Sequence, residues 1–412
     1  MQIFTILLII LFAGYSLLAW RSLRLALILM MGILPVYLLR FSIGAIPSTA
    51  LEILILISAA IWLTKHKGYK IDFKRLHPVY RPLLLLFAAA CFGVVAASDQ
   101  FAALGIWKAY FLEPVLVLLM MQTVFRKEDW MRAFLALGSC AVLLSLVAIF
   151  QVATALGLPV PWDIERRAAG LFDYPNALGL FLAPIVAAST VFLVRLRNHR
   201  WVFGLVAAAG TVGIILAETE AAYIAIPITL LITYLLTDIP RMKKIQAVGL
   251  AAGILALLLT LVPSIGEKVF LQDYSGGARL AGWGETMHMF YDHPLVGGGL
   301  AGYELALEPY HDPTFYEIFA YPHNIFLNIW TELGLLGLLG FFFLSFFIIK
   351  WTLQHRNNPY TLAAFAALHT MSIHGLVDVP FFKNDLSVLT IFFLGMLVFS
   401  GMQQEEDRSI ET

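Results

Sequence analysis

Charge is what this chain has least of. Of its 412 residues only 13% are Asp, Glu, Lys or Arg, against roughly 25% in an ordinary soluble domain. Lys plus Arg and Asp plus Glu both number 27, so the balance of charge points to no acidic partner and no nucleic acid. Cysteine is nearly absent as well. Cys91 and Cys140 both lie inside apolar runs, which argues against a disulfide framework and leaves them as small buried hydrophobes. No CxxC, HExxH or nucleophile-elbow pattern occurs, nor the DxD-like motif with which nucleotide-sugar transferases hold a metal, so neither metal nor cofactor is expected. Gly297-Gly298-Gly299 lacks the strand–turn–helix setting of a nucleotide loop.

Apolar side chains are what the chain has in excess: 60% of the residues are hydrophobic and the mean hydropathy is +0.83. One globular core cannot hide that much, and a bilayer is the solvent that accommodates it. The run from Ile3 to Trp20 has neither a basic leader nor a small-residue cleavage site, so it reads as a first membrane helix rather than a signal peptide. Windows of about 20 apolar residues fall at 3–20, 25–40, 46–64, 82–98, 103–125, 131–156, 177–195, 201–217, 220–237, 246–263, 324–349, 359–377 and 386–401. The expected fold is an all-α integral membrane protein, a single polytopic domain over 1–412 with about 12–13 transmembrane helices. Lys and Arg gather at Arg21/Arg24, 65–75, Arg126/Lys127/Arg132, 195–200, Arg241/Lys243/Lys244 and 350–356, which places those loops and the tail 405–412 in the cytoplasm. The alternating loops are then outside. The largest is 264–323, rich in Gly, aromatic and charged residues, with a short amphipathic helix expected around Trp283 to Tyr291.

The residues with chemistry gather at the outer boundary. Pro322 marks a helix start with His323 in its first turn, where an imidazole either takes a proton from an attacking hydroxyl or caps the helix. Glu332, within the following apolar span, needs a partner, and a structural hydrogen bond to a neighbouring helix is its expected role. Arg279 follows the flexible run Ser275-Gly276-Gly277-Ala278 and either binds phosphate oxygens bidentately or is solvated. Arg166 and Arg167 lie outside against the positive-inside trend, which an anionic substrate explains. Asn176, after Pro175, orients a polar group or, more plainly, caps the next helix. Glu218 and Glu220 occupy a short outer turn, as acid/base groups, a cation site or a solvated turn. His374 and Asp378, four apart, form a relay or fix a helix end. Lys383 adds another outer cation.

Four segments, in order, carry a resemblance. They are Arg167-Ala168-Ala169-Gly170-Leu171-Phe172-Asp173-Tyr174-Pro175-Asn176; Arg279 and Trp283 followed by Asp292-His293-Pro294-Leu295 through Gly299; His323-Asn324 followed by Glu332-Leu333-Gly334-Leu335-Leu336-Gly337; and His374-Gly375-Leu376-Val377-Asp378. Over about 160–385 the chain resembles the superfamily of O-antigen ligases and O-antigen polymerases. The resemblance implies a metal-independent glycosyltransferase at the outer face of a bacterial inner membrane, its site facing the periplasm or cell exterior. It would move glycan from undecaprenyl diphosphate to lipid A-core or another glycan acceptor, or join lipid-linked repeat units. His323 would activate the acceptor hydroxyl and Arg279 would stabilise the leaving diphosphate, with Arg166, Arg167, Asn176, Trp283, Asn324 and Lys383 binding substrate. One turn departs from the family pattern. Thr219-Glu220-Ala221-Ala222 stands where a Ser-Arg-Gly-type turn is common, and its Arg is assigned to catalysis in ligases. Either another arginine takes over, or the substrate differs, or the chain is not a ligase. A solute transporter is the competing class, and it is disfavoured because polar residues sit at the boundary rather than at mid-membrane.

Overall fold

The computed structural model describes residues 2–44, 46–65, 73–261, 266–268, 270–312 and 318–411. Part of the basic loop expected at 65–75 and part of the long segment 264–323 lie outside those residues. The helices are α1 (Gln2–Arg21), α2 (Leu23–Gly32), α3 (Ala50–Lys65), α4 (Phe73–Ala96), α5 (Gln100–Trp107), α6 (Glu113–Val124), α7 (Lys127–Thr154), the single turn α8 (Trp162–Glu165), α9 (Pro175–Arg195), α10 (Arg200–Leu216), α11 (Glu220–Leu236), α12 (Arg241–Leu261), α13 (Tyr274–Asp292), the short α14 (Tyr303–Leu307), α15 (Ile325–Gln354), α16 (Pro359–His374) and α17 (Asn384–Glu411). Seven helices among the described residues are long and apolar enough to cross a membrane, and three shorter apolar ones, α2, α10 and α11, stand beside them. The chain is a multi-pass, all-α membrane protein.

The apolar runs dictate this arrangement because backbone polar groups in hydrocarbon must be satisfied within the segment, which a helix does. The centre of the bundle is α9, apolar all round and buried along most of its length, packed against α7, α10, α11 and α16. Phe134, Phe192 and Phe203 interlock there, with Phe192 and Phe203 centroids 5.3 Å apart. Pro184 sits inside α9 without ending it; neighbouring helices tolerate such interruptions in membrane bundles.

Each expected span has its helix, and two local readings, 25–40 and Ser275–Ala278, are corrected. The run 25–40 is helical only to Gly32. A 3₁₀ turn at Leu34–Leu38, opened by Pro35, leads into a two-stranded hairpin, β1 (Arg40–Ile43) with β2 (Ile46–Thr49), pairing Arg40 with Thr49. The run 103–125 contains a π-type turn, Lys108–Leu112, where Lys108 ion-pairs with Glu52 of α3. The run Ser275–Ala278 is not flexible. It is the first turn of α13, capped by Asp273, whose carboxylate accepts from the Gly276 N–H at 3.1 Å. The amphipathic helix expected at 283–291 is therefore a full helix beginning at Tyr274.

α15 is broken at Gly334 (φ 65°, ψ −172°), a conformation essentially reserved for glycine. The break frees donors and acceptors that the 294–299 loop takes up. Leu335 N–H donates to the Leu295 carbonyl at 2.9 Å and Gly298 N–H donates to the Thr331 carbonyl at 2.9 Å. Trp330 Nε1 donates to the Pro294 carbonyl at 2.8 Å, and its ring stacks on Phe290 of α13 with centroids 4.2 Å apart. Two of the sequence motifs, Asp292 through Gly299 and Glu332 through Gly337, thus lock the long segment onto the broken helix.

Candidate active site

Three helix ends and α13 meet at one end of the bundle. Arg167 arrives in the loop before α9. Gln151, near the end of α7, fixes that loop by donating to the Gly157 and Gly170 carbonyls (2.7 and 2.8 Å) and accepting from the Gly170 N–H at 2.9 Å. The Arg167 guanidinium lies over the Trp162 ring at 4.9 Å. It donates to the Ala217 carbonyl (3.2 Å), the Glu218 carbonyl (3.3 Å) and Asn176 Oδ1 (3.3 Å). Asn176 is thus not the helix cap. Tyr174 occupies that position, and Asn176 is one residue inside α9, orienting Arg167.

Arg279 is on the second turn of α13, one turn before Trp283. Trp283 Nε1 donates to the Pro322 carbonyl at 2.7 Å, which ties α13 to the residue before His323. His323 does not lie in the first turn of the next helix. It precedes the cap, in a left-handed conformation (φ 48°), and Asn324 is the N-cap, accepting from the Phe326 and Leu327 N–H groups while its amide donates to the Leu376 carbonyl at 3.0 Å. A second tie runs from Ile325 N–H to the Gly375 carbonyl at 2.6 Å. The imidazole is held between these ties. Its ring lies 4.6 Å from the Tyr321 ring and 5.1 Å from the Phe319 ring. Its Nδ1 is 3.6 Å from Asp378 Oδ1.

Asp378 is buried. Burial alone would raise its carboxyl, but His323, His374 and the Val379 N–H, which donates to it at 2.8 Å, hold it below the usual carboxylate range. The partner of Asp378 is therefore His323, far away in sequence, and not His374 at four residues' distance. α16 ends at His374 and the chain turns at Gly375, so the helical spacing between His374 and Asp378 does not exist.

Arg167, Asn176, Glu218, Glu220, Arg279, His374 and Asp378 line a single cavity of about 300 Å³. Arg279 has no ion-pair or hydrogen-bond partner among the described residues, so its fork of donors remains available. Glu220 is paired with Lys268. Residues 203–342 match the family model described as O-antigen ligase. No curated protein matches the chain.

The O-antigen ligase match includes Glu218, Glu220, Arg279, Trp283, His323 and Asn324, and stops short of Asp378. Beyond it lies a second cavity, of about 270 Å³, lined by Arg40, Tyr110, Tyr321, Asn328, Glu332 and Lys383 among others. Val377 and Asp378 line the first cavity and Val379 the second, so the chain at 377–379 is a partition, and His323 packs on it with Tyr321. Lys383, expected with the other cations, is in the second cavity, its Nζ 4.4 Å over the Tyr174 ring and without a hydrogen-bond partner among the described residues. Burial pushes its ammonium down to about 8, against the pull of Asp385 and Asp173. Glu332 accepts from the Ala301 N–H at 2.6 Å, a structural bond made to a loop and not to the neighbouring helix expected. Tyr110 and Phe382 also line an apolar cavity between α4, α15 and α17, which adjoins the second one. Arg166 is exposed and lines neither cavity. Sequence alone did not single out Gln151, Arg40, Tyr321 or Lys268. Only Gln151, a lone amide near the end of an apolar run, carried a local signal.

Proposed function

We propose that this protein transfers glycan from undecaprenyl diphosphate to an acceptor hydroxyl, as an O-antigen ligase, at the outer face of a bacterial inner membrane. The observation that carries the reading is His323 held against ionised Asp378 on the wall beside a cavity whose lining includes Arg167 and Arg279. Two guanidiniums suit a diphosphate, because each offers bidentate donors and keeps its charge. The acceptor oxygen attacks the anomeric carbon and the bond from that carbon to the diphosphate oxygen breaks, its electron pair leaving with the diphosphate. The acceptor's proton passes to the His323 imidazole, whose positive charge Asp378 stabilises, and then to water. Charge develops on the leaving diphosphate, where Arg279 is preorganised to meet it. The second cavity, with hydroxyl-bearing tyrosines and an apolar neighbour, suits the sugar headgroup of a lipid-anchored acceptor such as lipid A-core. The Lys/Arg distribution of the loops supports reading this end of the bundle as the one outside the cytoplasm.

The test is transfer by the purified protein in detergent from undecaprenyl diphosphate-linked oligosaccharide, with and without lipid A-core. Transfer to the core that falls about 10²–10⁴-fold in His323→Ala supports the ligase reading. Chain extension without the core makes the protein a polymerase on the same site. No transfer from folded protein in either arm contradicts the reading.

A further inference from the structure

Glu220, the first residue of α11, puts a carboxylate on the rim of the cavity that holds Arg167 and Arg279. Alone, it would repel an anion there. It is not alone. Nζ of Lys268, from the short helical segment 266–268 ahead of α13, ion-pairs with Glu220 Oε1, and Lys268 lines the same cavity. The pair is half-exposed, with side-chain exposures of 46% and 39%. Such pairs stabilise a fold little, so stability is a poor account of it. An ammonium has three donors and Glu220 occupies one, leaving two for a ligand. The hydrogen bond to Glu220 comes first among the influences that raise the ammonium above its usual range, so the charge is retained. Of the three other carboxylates lining the cavity, Asp273 is committed to the cap of α13 and Asp378 to His323, which leaves Glu218 beside the pair.

We propose that Lys268 is a third cationic ligand of the donor's diphosphate and that Glu220 is its positioning residue, holding the 266–268 segment over the cavity. This rests on reading that cavity as the diphosphate site. The two ideas about Glu220 separate cleanly. If Glu220 acts only through its charge, removing it tightens anion binding. If it positions Lys268, removing it weakens anion binding.

The experiment is calorimetric titration of inorganic pyrophosphate into the purified full chain in detergent. Lys268→Met is expected to weaken binding by about tenfold. Glu220→Ala is expected to weaken it several-fold, and the double variant to bind no more weakly than Lys268→Met. Exchanging the charges, Glu220→Lys with Lys268→Glu, restores a cation to the cavity and most of the affinity. Unchanged affinity in Lys268→Met, or tighter binding in Glu220→Ala, overturns the proposal. Arg279→Ala is the control for the cavity. If it leaves pyrophosphate affinity intact while Lys268→Met lowers it, the diphosphate reading of the cavity fails and Lys268 stands as an anion ligand; the opposite pattern removes Lys268 alone.

Discussion

The two cavities that meet at residues 377–379 are close in volume, about 300 and 270 Å³, and differ in what their charges do. In the first, Arg279 has no ion-pair partner among the described residues, and Arg167 is braced by backbone carbonyls, by Asn176 and by Glu165 at 3.9 Å. In the second, Arg40 already faces Asp173 at 3.6 Å and the Lys383 ammonium lies over a tyrosine ring. The second cavity has four tyrosines in its lining and an apolar chamber next to it; the first has neither. The unpaired Arg279 guanidinium fits an anion that leaves with full charge, and hydroxyl-bearing rings beside hydrocarbon fit a sugar carried on a lipid. The wall between them holds the imidazole. The proposed division of labour between donor and acceptor thus rests on the distribution of unpaired donors rather than on cavity size.

Substitutions on the two sides should behave differently. Among the residues that line the cavities the largest effect is expected at Arg279, where Arg279→Ala should lower transfer by about 10²–10³-fold, and Arg279→Lys should rescue little because a point charge does not reproduce the fork. In the wall itself, Asp378→Asn should lower transfer about 10–100-fold with donor binding retained, measured by titration of undecaprenyl diphosphate. Because the Asp378 carboxyl is held below its usual range, its contribution to stability is present at neutral pH and lost only as pH falls through the acid range. A pH series of thermal midpoints should therefore lose part of its acid slope in Asp378→Asn. Under the wall, Gly334→Ala forces a Cβ to 2.4 Å from the Leu295 carbonyl oxygen and into a conformation that costs about 1–3 kcal/mol. A lower melting temperature with both cavities impaired is the expected outcome. On the acceptor side the effect is smaller and depends on pH. The Lys383 ammonium is charged below about 8 and neutral above it, so acceptor KM should rise as pH climbs through 8, and Lys383→Arg should abolish that rise. Arg166→Ala, outside both cavities, should change none of these quantities.

Much of the fold was legible because each apolar run is long enough to need a helix, and several residues that line the first cavity were legible by type. Their pairing was not. The local spacing of His374 and Asp378 suggested a partnership, but the helix ends at His374 and the chain brings His323 in from another segment. Gly276 and Gly277 suggested a flexible approach to Arg279, whereas one cap from Asp273 is enough to start a helix that fixes Arg279 and Trp283 on successive turns. Glu220 looked like a lost cation, and its ion pair with Lys268 depends on a contact across 48 residues that no local pattern encodes. The second cavity was invisible because Arg40, Asp173, Tyr321 and Lys383 come from four separate segments and only tertiary packing assembles them.

The central claim is that His323 moves a proton while Arg279 holds the diphosphate. It is tested most directly by measuring undecaprenyl diphosphate affinity and glycan transfer on the same preparations of wild type, His323→Ala and Arg279→Ala. His323→Ala is predicted to bind the lipid as wild type does and to transfer about 10²–10⁴-fold more slowly, and Arg279→Ala to be impaired in both. Transfer by His323→Ala near the wild-type rate, or undiminished lipid binding by Arg279→Ala, would contradict that claim.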